Sequence, residues 1–240
     1  MLTLSEELYL ALHFNKKKAT LDLLPENMSQ LIAAGGMVVE LLLAGRLRLD
    51  ETRLAVVDTS LTGDELLDET LTCLQAGVSL NPDDPEWFSA IASKTVLSKH
   101  LLARLIEKDV IRPFQERKWF GLSQVTVYPL QDRNILERWQ WLQRDILLNN
   151  KQPTAHDAIL LFMTTACDEP LPNEFSRREQ KAADARWRKL FGDFWGAYPV
   201  QAASEPVPGI NPSVRKAIGE LIVSWGTVKS TYDVSRYASH

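Results

Sequence analysis

The stretch Ser29–Gly45, SQLIAAGGMVVELLLAG, constrains the fold more than any other part of this chain. It is apolar on nearly every side of a helix, so a helix here has no solvent face and must be enclosed by other elements. Gly45 supplies the residue that tolerates the left-handed conformation just past a helix end. Gly35 and Gly36 lie inside the helical pattern, which fits close helix packing better than a phosphate cradle. The longest apolar run, MVVELLLAG, is broken by Glu40 and falls well short of the roughly 20 residues of a membrane span. A second segment, TAHDAILLFMTTAC from Thr154, is also apolar nearly all round and predicts a second central helix.

The remaining periodic segments read as covering helices. TLSEELYLALH carries Thr3 as N-cap and Glu6 three residues on, a capping box, with Leu4, Leu8 and Leu12 on one face. LTGDELLDETLTCLQ is read with Thr62 as cap, Glu65 at the boxed position and Leu66, Leu67, Leu71 and Leu74 inward. KTVLSKHLLARLIEKD places Val96, Leu97, Leu101 and Leu105 inward, and Asp132 is the expected cap of DRNILERWQWLQRDILL. EFSRREQKAADARWRKLFGDFW is amphipathic and basic; its cations at 177–189 are read as a solvated face, with Trp187 packing inward. The proline-rich YPVQAASEPVPGINP is read as a surface loop and SVRKAIGELIVSWGTV as a closing helix. Two hairpins are expected, RLRLDETRLAVVD turning at Asp50–Thr52, and DVIRPF with LSQVTVY. No shift in composition divides the chain. The expectation is therefore a mainly α fold: a single globular domain over 1–240, with a central apolar helix bundle and two short β-hairpins.

Signatures of catalysis are missing: the sequence has no phosphate-binding Walker loop, GxGxxG, GxSxG or HExxH. His156 beside Asp157 is explained by Thr154 capping a helix with Asp157 in its first turn. Cys73 and Cys167 are too few for a disulfide framework, form no metal-ligand pattern, and are expected in the core. The expectation is a non-enzymatic protein without cofactor or metal. The first residues show no export-signal pattern, and the composition is that of a soluble protein of the reduced cell interior.

The net charge of −4 argues against a dedicated nucleic-acid binder, but the charge is unevenly spread. Ten acids and one base lie between Asp50 and Glu86; seven bases and three acids lie between Lys94 and Lys118. Such lobes suggest a face that meets something anionic.

LTLSEELYLALH, GGMVVELLLAGRLRLD, TGDELLDETL and LLARLIEKDVI, in this order and spacing, resemble the Golgi phosphoprotein 3 family over roughly the first 150 residues. TGDELLDE after a GRLxLD hairpin is the most specific pair. The resemblance implies a mainly helical peripheral membrane protein of the cytoplasmic face that binds phosphatidylinositol 4-phosphate. It implies a hydrophobic β-hairpin entering the bilayer, and an adaptor role toward protein cargo. The family's headgroup-holding Trp and three Arg positions correspond here to about Pro25, Ala34, Thr95 and Ser98, none of which matches. Lys94 and Lys99 flank the later pair and supply charge without the bidentate fork of arginine.

The second hairpin carries Arg117, Lys118, Trp119 and Phe120 at its tip. Tryptophan favours the headgroup level and the cations face anionic lipid. A net excess of four cations over 94–118 supplies about 4 kcal/mol, millimolar by itself, so the rings would decide retention. The expected lipid-binding residues are therefore Lys94, Lys99, Arg117, Lys118, Trp119 and Phe120. Two other readings are that the rings fold back into the core or pack in a homo-oligomer. A helix followed by a basic-tipped hairpin also matches a winged-helix DNA reader, although the acidic total and the lack of a basic recognition helix make nucleic acid the poorer partner.

Overall fold

The computed structural model describes residues 2–15, 17–49, 54–75, 91, 96–118, 123–166, 175–192, 207–211, 214–215 and 218–219. The elements run α1 (Leu4–His13), β1 (Phe14–Asn15), β2 (Thr20–Leu21), α2 (Glu26–Leu43), β3 (Leu47–Leu49), β4 (Leu54–Val56) and α3 (Glu65–Gln75). They continue with α4 (Leu97–Glu107), β5 (Phe114–Lys118), β6 (Ser123–Pro129), α5 (Asn134–Leu147), α6 (Ala155–Ala166) and α7 (Arg177–Phe191). The fold is mainly α with two small antiparallel sheets, as the periodicities predict. The described residues fall into two compact units, one from Met1–Asp132 with Pro212–His240, the other from Arg133–Asn211.

In the first unit α2 is central, packed by α1, α3, α4 and β3. It starts at Glu26, three residues before the apolar run, and is buried from Met28 to Val39. Its end is a Schellman turn: Arg46 N–H donates to Leu41 C=O at 2.9 Å and Gly45 N–H to Leu42 C=O at 3.1 Å, with Gly45 at φ 69°. A Cβ on Gly36 would lie 3.1 Å from Ser5 Cα, so this glycine lets α1 approach.

α1 departs from the one-faced helix its leucine spacing predicts: every residue from Leu4 to His13 is buried. Its polar positions find interior partners instead of water. Glu6 joins the Thr3 capping box and also accepts from Lys108 Nζ at 2.6 and 2.7 Å. Glu40 of α2 caps the helix from outside, accepting from Leu4 N–H at 3.0 Å, Ser5 N–H at 3.4 Å and the Ser5 hydroxyl. Burial pushes the Glu40 carboxyl above its ordinary range. His13 Nδ1 lies 2.7 Å from Tyr9 C=O, which can only accept, so Nδ1 carries the proton. Nε2 then accepts from Ser29 Oγ at 2.8 Å. Burial lowers His13 to about 4 and raises Tyr9 to about 12, so both stay neutral.

The α3 cap also differs from the expectation. Asp64, not Thr62, accepts from Leu66 and Leu67 N–H at 2.9 and 3.2 Å, while Thr62 bonds to Asp68. α3 buries Leu66, Leu71 and Leu74, with Leu67 half-buried; α4 buries Leu97, Leu101 and Leu105 but leaves Val96 exposed.

In the second unit α6 buries Ala158 through Thr164. Asp157 N–H donates to Thr154 Oγ1 at 3.1 Å, the expected cap. Arg133, rather than Asp132, holds the cap position of α5. α7 starts with Ser176 and Glu179 in a capping box and buries Ala183, Arg186, Trp187 and Leu190. Trp187 packs inward as predicted, stacked on Phe162 with centroids 5.6 Å apart, and Phe191 tilts against both rings.

Candidate functional site

The β5–β6 hairpin is more than a pair of strands. β6 also pairs with β2, giving a four-stranded sheet ordered β1-β2-β6-β5. The helix–hairpin unit expected of a winged helix is thus built into a larger sheet. β2 covers only Pro129 and Tyr128 of β6. Further ties hold this base: Arg112 N–H to Pro129 C=O at 3.2 Å, Leu130 N–H to Ala19 C=O at 3.1 Å, and Gln131 N–H to Val110 C=O at 2.8 Å. Beyond it, five pairs from Phe114↔Val127 to Lys118↔Ser123 run as a two-stranded ribbon, about 16 Å long at 3.3 Å per residue.

The register sorts the ribbon's side chains. Phe114, Glu116, Val125 and Val127 share one face; Gln115, Arg117, Gln124 and Thr126 share the other. Gln115 Nε2 donates to Thr126 Oγ1 at 2.9 Å across the polar face. The apolar face has no cover among the described residues: Phe114 is 60% and Val125 39% exposed. A two-stranded ribbon is marginal in water, and the Phe114–Val127 cross-strand pair adds only about 0.2–1 kcal/mol to it.

Arg117 stands exposed near the end of β5, with no ion-pair partner among the described residues. Lys118 closes the strand; its side chain lies outside the described residues, as do Lys94, Trp119 and Phe120. Lys99 is exposed in the first turn of α4, its Nζ 3.9 Å from Glu26 Oε1.

The charge asymmetry read from sequence has a largely internal destination. Arg104 Nη1 reaches both Asp64 oxygens at 3.0 and 2.7 Å, Lys108 is held by buried Glu6, and Arg112 pairs with Asp109 at 2.8 Å. Burial pushes the Asp64 carboxyl up, but Arg104 and two helix N–H groups outweigh it and hold it below the ordinary carboxylate range. His100 also faces Glu69 at 3.5 Å. Arg104 is thus neutralised at the cap of α3, Lys108 by α1, and Arg112 by its near neighbour Asp109. The excess of four cations assumed above overstates what is left for a partner.

Residues 4–207 match the family model described as Golgi phosphoprotein 3 (GPP34). The chain belongs to the Golgi phosphoprotein 3 family. It is also 29% identical over 158 residues to vacuolar protein sorting-associated protein 74 of Eremothecium gossypii. That match covers 57% of this chain and 46% of the relative, less than half its length. Among the described residues no helix is long and apolar enough to cross a membrane, and no group of three His, Cys, Asp or Glu could hold a metal ion.

The family's headgroup positions can now be placed. Pro25 is the cap of α2 without a side-chain bond, Ala34 is fully buried, and Thr95 lies outside the described residues. Ser98 is buried: its N–H donates to Gln30 Oε1 at 2.8 Å and its hydroxyl to Glu26 Oε1 at 3.1 Å. An amide oxygen and a carboxylate thus hold the two donors at this place. Sequence reasoning missed Glu26 and Gln30, whose partners lie about seventy residues away, and missed Phe114 and Val125. Placing those two on one face needs the strand register.

Proposed function

We propose that this chain is a non-catalytic peripheral membrane adaptor that attaches to anionic bilayers through the β5–β6 ribbon. The observation that carries this reading is the uncovered face of Phe114 and Val125, which also holds Glu116, with the exposed Arg117 on the opposite face of the same ribbon. The chain continues from there into Lys118, Trp119 and Phe120. Family membership supports a lipid-reading role on the cytoplasmic side of a membrane, with protein cargo as the second partner.

Arg117 and Lys118 contribute about 2 kcal/mol against an acidic surface. If the two rings bury half their area, some 150–250 Å² together, they add about 4–6 kcal/mol before ordering costs. The rings therefore dominate. Lys94 and Lys99 supply further charge, but Glu26 already neighbours Lys99 and repels phosphate. Phosphatidylinositol 4-phosphate is bound as a dense anion by charge and insertion, not by a fitted pocket.

Cosedimentation with vesicles tests the reading, comparing phosphatidylcholine alone, with phosphatidylserine, and with phosphatidylinositol 4-phosphate. Wild type pellets with both acidic sets, and the Trp119→Ala/Phe120→Ala variant binds about a hundredfold more weakly. Equal binding by wild type and variant, or none by either, removes the proposal.

A further inference from the structure

α7 of the second unit presents a cationic stripe that the hairpin reading does not use. At about 100° per residue, Arg177, Arg188, Lys181, Arg178 and Lys189 fall within about 120° of the helix surface, over about 18 Å of its length. All five are exposed, and the arc lies opposite buried Ala183, Arg186, Trp187 and Leu190. Asp184 is the one exposed acid, at the edge of the arc. Glu179 points elsewhere, bonded to Ser176 and to Arg144.

Helix stability does not explain this placement. Arg177 and Arg178 occupy the first turn, next to the Ser176 cap, where the helix dipole disfavours positive charge. A fold that needed only a soluble face would place them in the last turn or use acids. The stripe carries no exposed aromatic side chain, since Trp187 is stacked on Phe162 in the core, so it offers no platform for bases. A cationic helix face of this kind suits a flat anionic surface.

From this we infer that α7 is a membrane contact of the second unit: the stripe of Arg177, Arg178, Lys181, Arg188 and Lys189 lies against an acidic bilayer. The inference rests on the membrane reading above. It supplies that reading with the second signal that stable attachment needs, since one short insertion holds a protein only marginally.

The test is Arg177→Gln/Arg178→Gln/Lys181→Gln in the full chain, with vesicles of phosphatidylcholine containing phosphatidylserine at low salt. Each cation near such a surface is worth about fivefold, so affinity falls about a hundredfold for three. On neutral vesicles the variant and wild type behave alike, and the all-lysine variant at 177 and 178 binds as wild type. The thermal midpoint is unchanged or higher, because two cations leave the positive end of the helix. Vesicle binding equal to wild type, while the Trp119→Ala/Phe120→Ala protein is weakened, overturns this inference and leaves the hairpin reading intact. Failure of wild type to bind at all overturns both. A loss confined to duplex DNA binding assigns the stripe to nucleic acid and likewise overturns it.

Discussion

His13 shows how one buried side chain ties two helices together and makes the fold sensitive to acid. Its ring is neutral, donating to Tyr9 within α1 and accepting from Ser29 of α2. Burial lowers its folded pKa to about 4 from 6.5. The unfolded chain takes up the proton first, so stability is complete above about 6.5 and is lost as pH falls toward 4. This group alone accounts for about 3 kcal/mol over that window. In chemical denaturation, His13→Asn is less stable than wild type at pH 7, and the difference narrows by pH 4.5. A constant difference across the range contradicts the assignment. Gly36 works by absence: with Ser5 Cα at 3.1 Å from a built Cβ, Gly36→Val overpacks the α1–α2 contact and costs about 1–3 kcal/mol in urea unfolding.

At the scale of elements, Asp64 joins two roles, capping α3 and pairing with Arg104 of α4. Asp64→Ala removes both and costs about 2–4 kcal/mol, because it leaves a partly buried guanidinium behind. Asp64→Asn keeps the cap acceptor and costs less. Equal midpoints for the two variants in urea would show that the cap adds nothing, and Asp64→Asn as stable as wild type would show that the ion pair adds nothing. This pair also marks where sequence reading stops. Caps such as Thr3–Glu6 and Thr154–Asp157, the Gly45 terminus and the leucine stripes were legible because each depends on neighbours within a turn. Asp64–Arg104 spans forty residues and Glu6–Lys108 about a hundred, and no local pattern announces either. The charge lobes were visible in sequence. That Asp64 and Glu6 neutralise Arg104 and Lys108 was not. Likewise both strands of the second hairpin were legible, whereas its inclusion in a four-stranded sheet and its apolar face depend on pairing between distant strands.

For the whole molecule, the first unit is fixed around α2, with α1 and α4 locked to it by buried polar bonds, and one edge of its sheet carries a ribbon that the body does not cover. On the proposed membrane reading an uncovered amphipathic ribbon suits reversible attachment, because Phe114 and Val125 leave water only at the bilayer. The most direct measurement is immersion of the tip. An environment-sensitive dye on Phe120→Cys, in a Cys73→Ser/Cys167→Ser background, is titrated with acidic vesicles whose acyl chains carry bromine. The emission shifts to shorter wavelength and is quenched by bromine on acidic vesicles, and neither change occurs on neutral ones. An unshifted, unquenched dye on protein that nonetheless pellets with the vesicles contradicts the account.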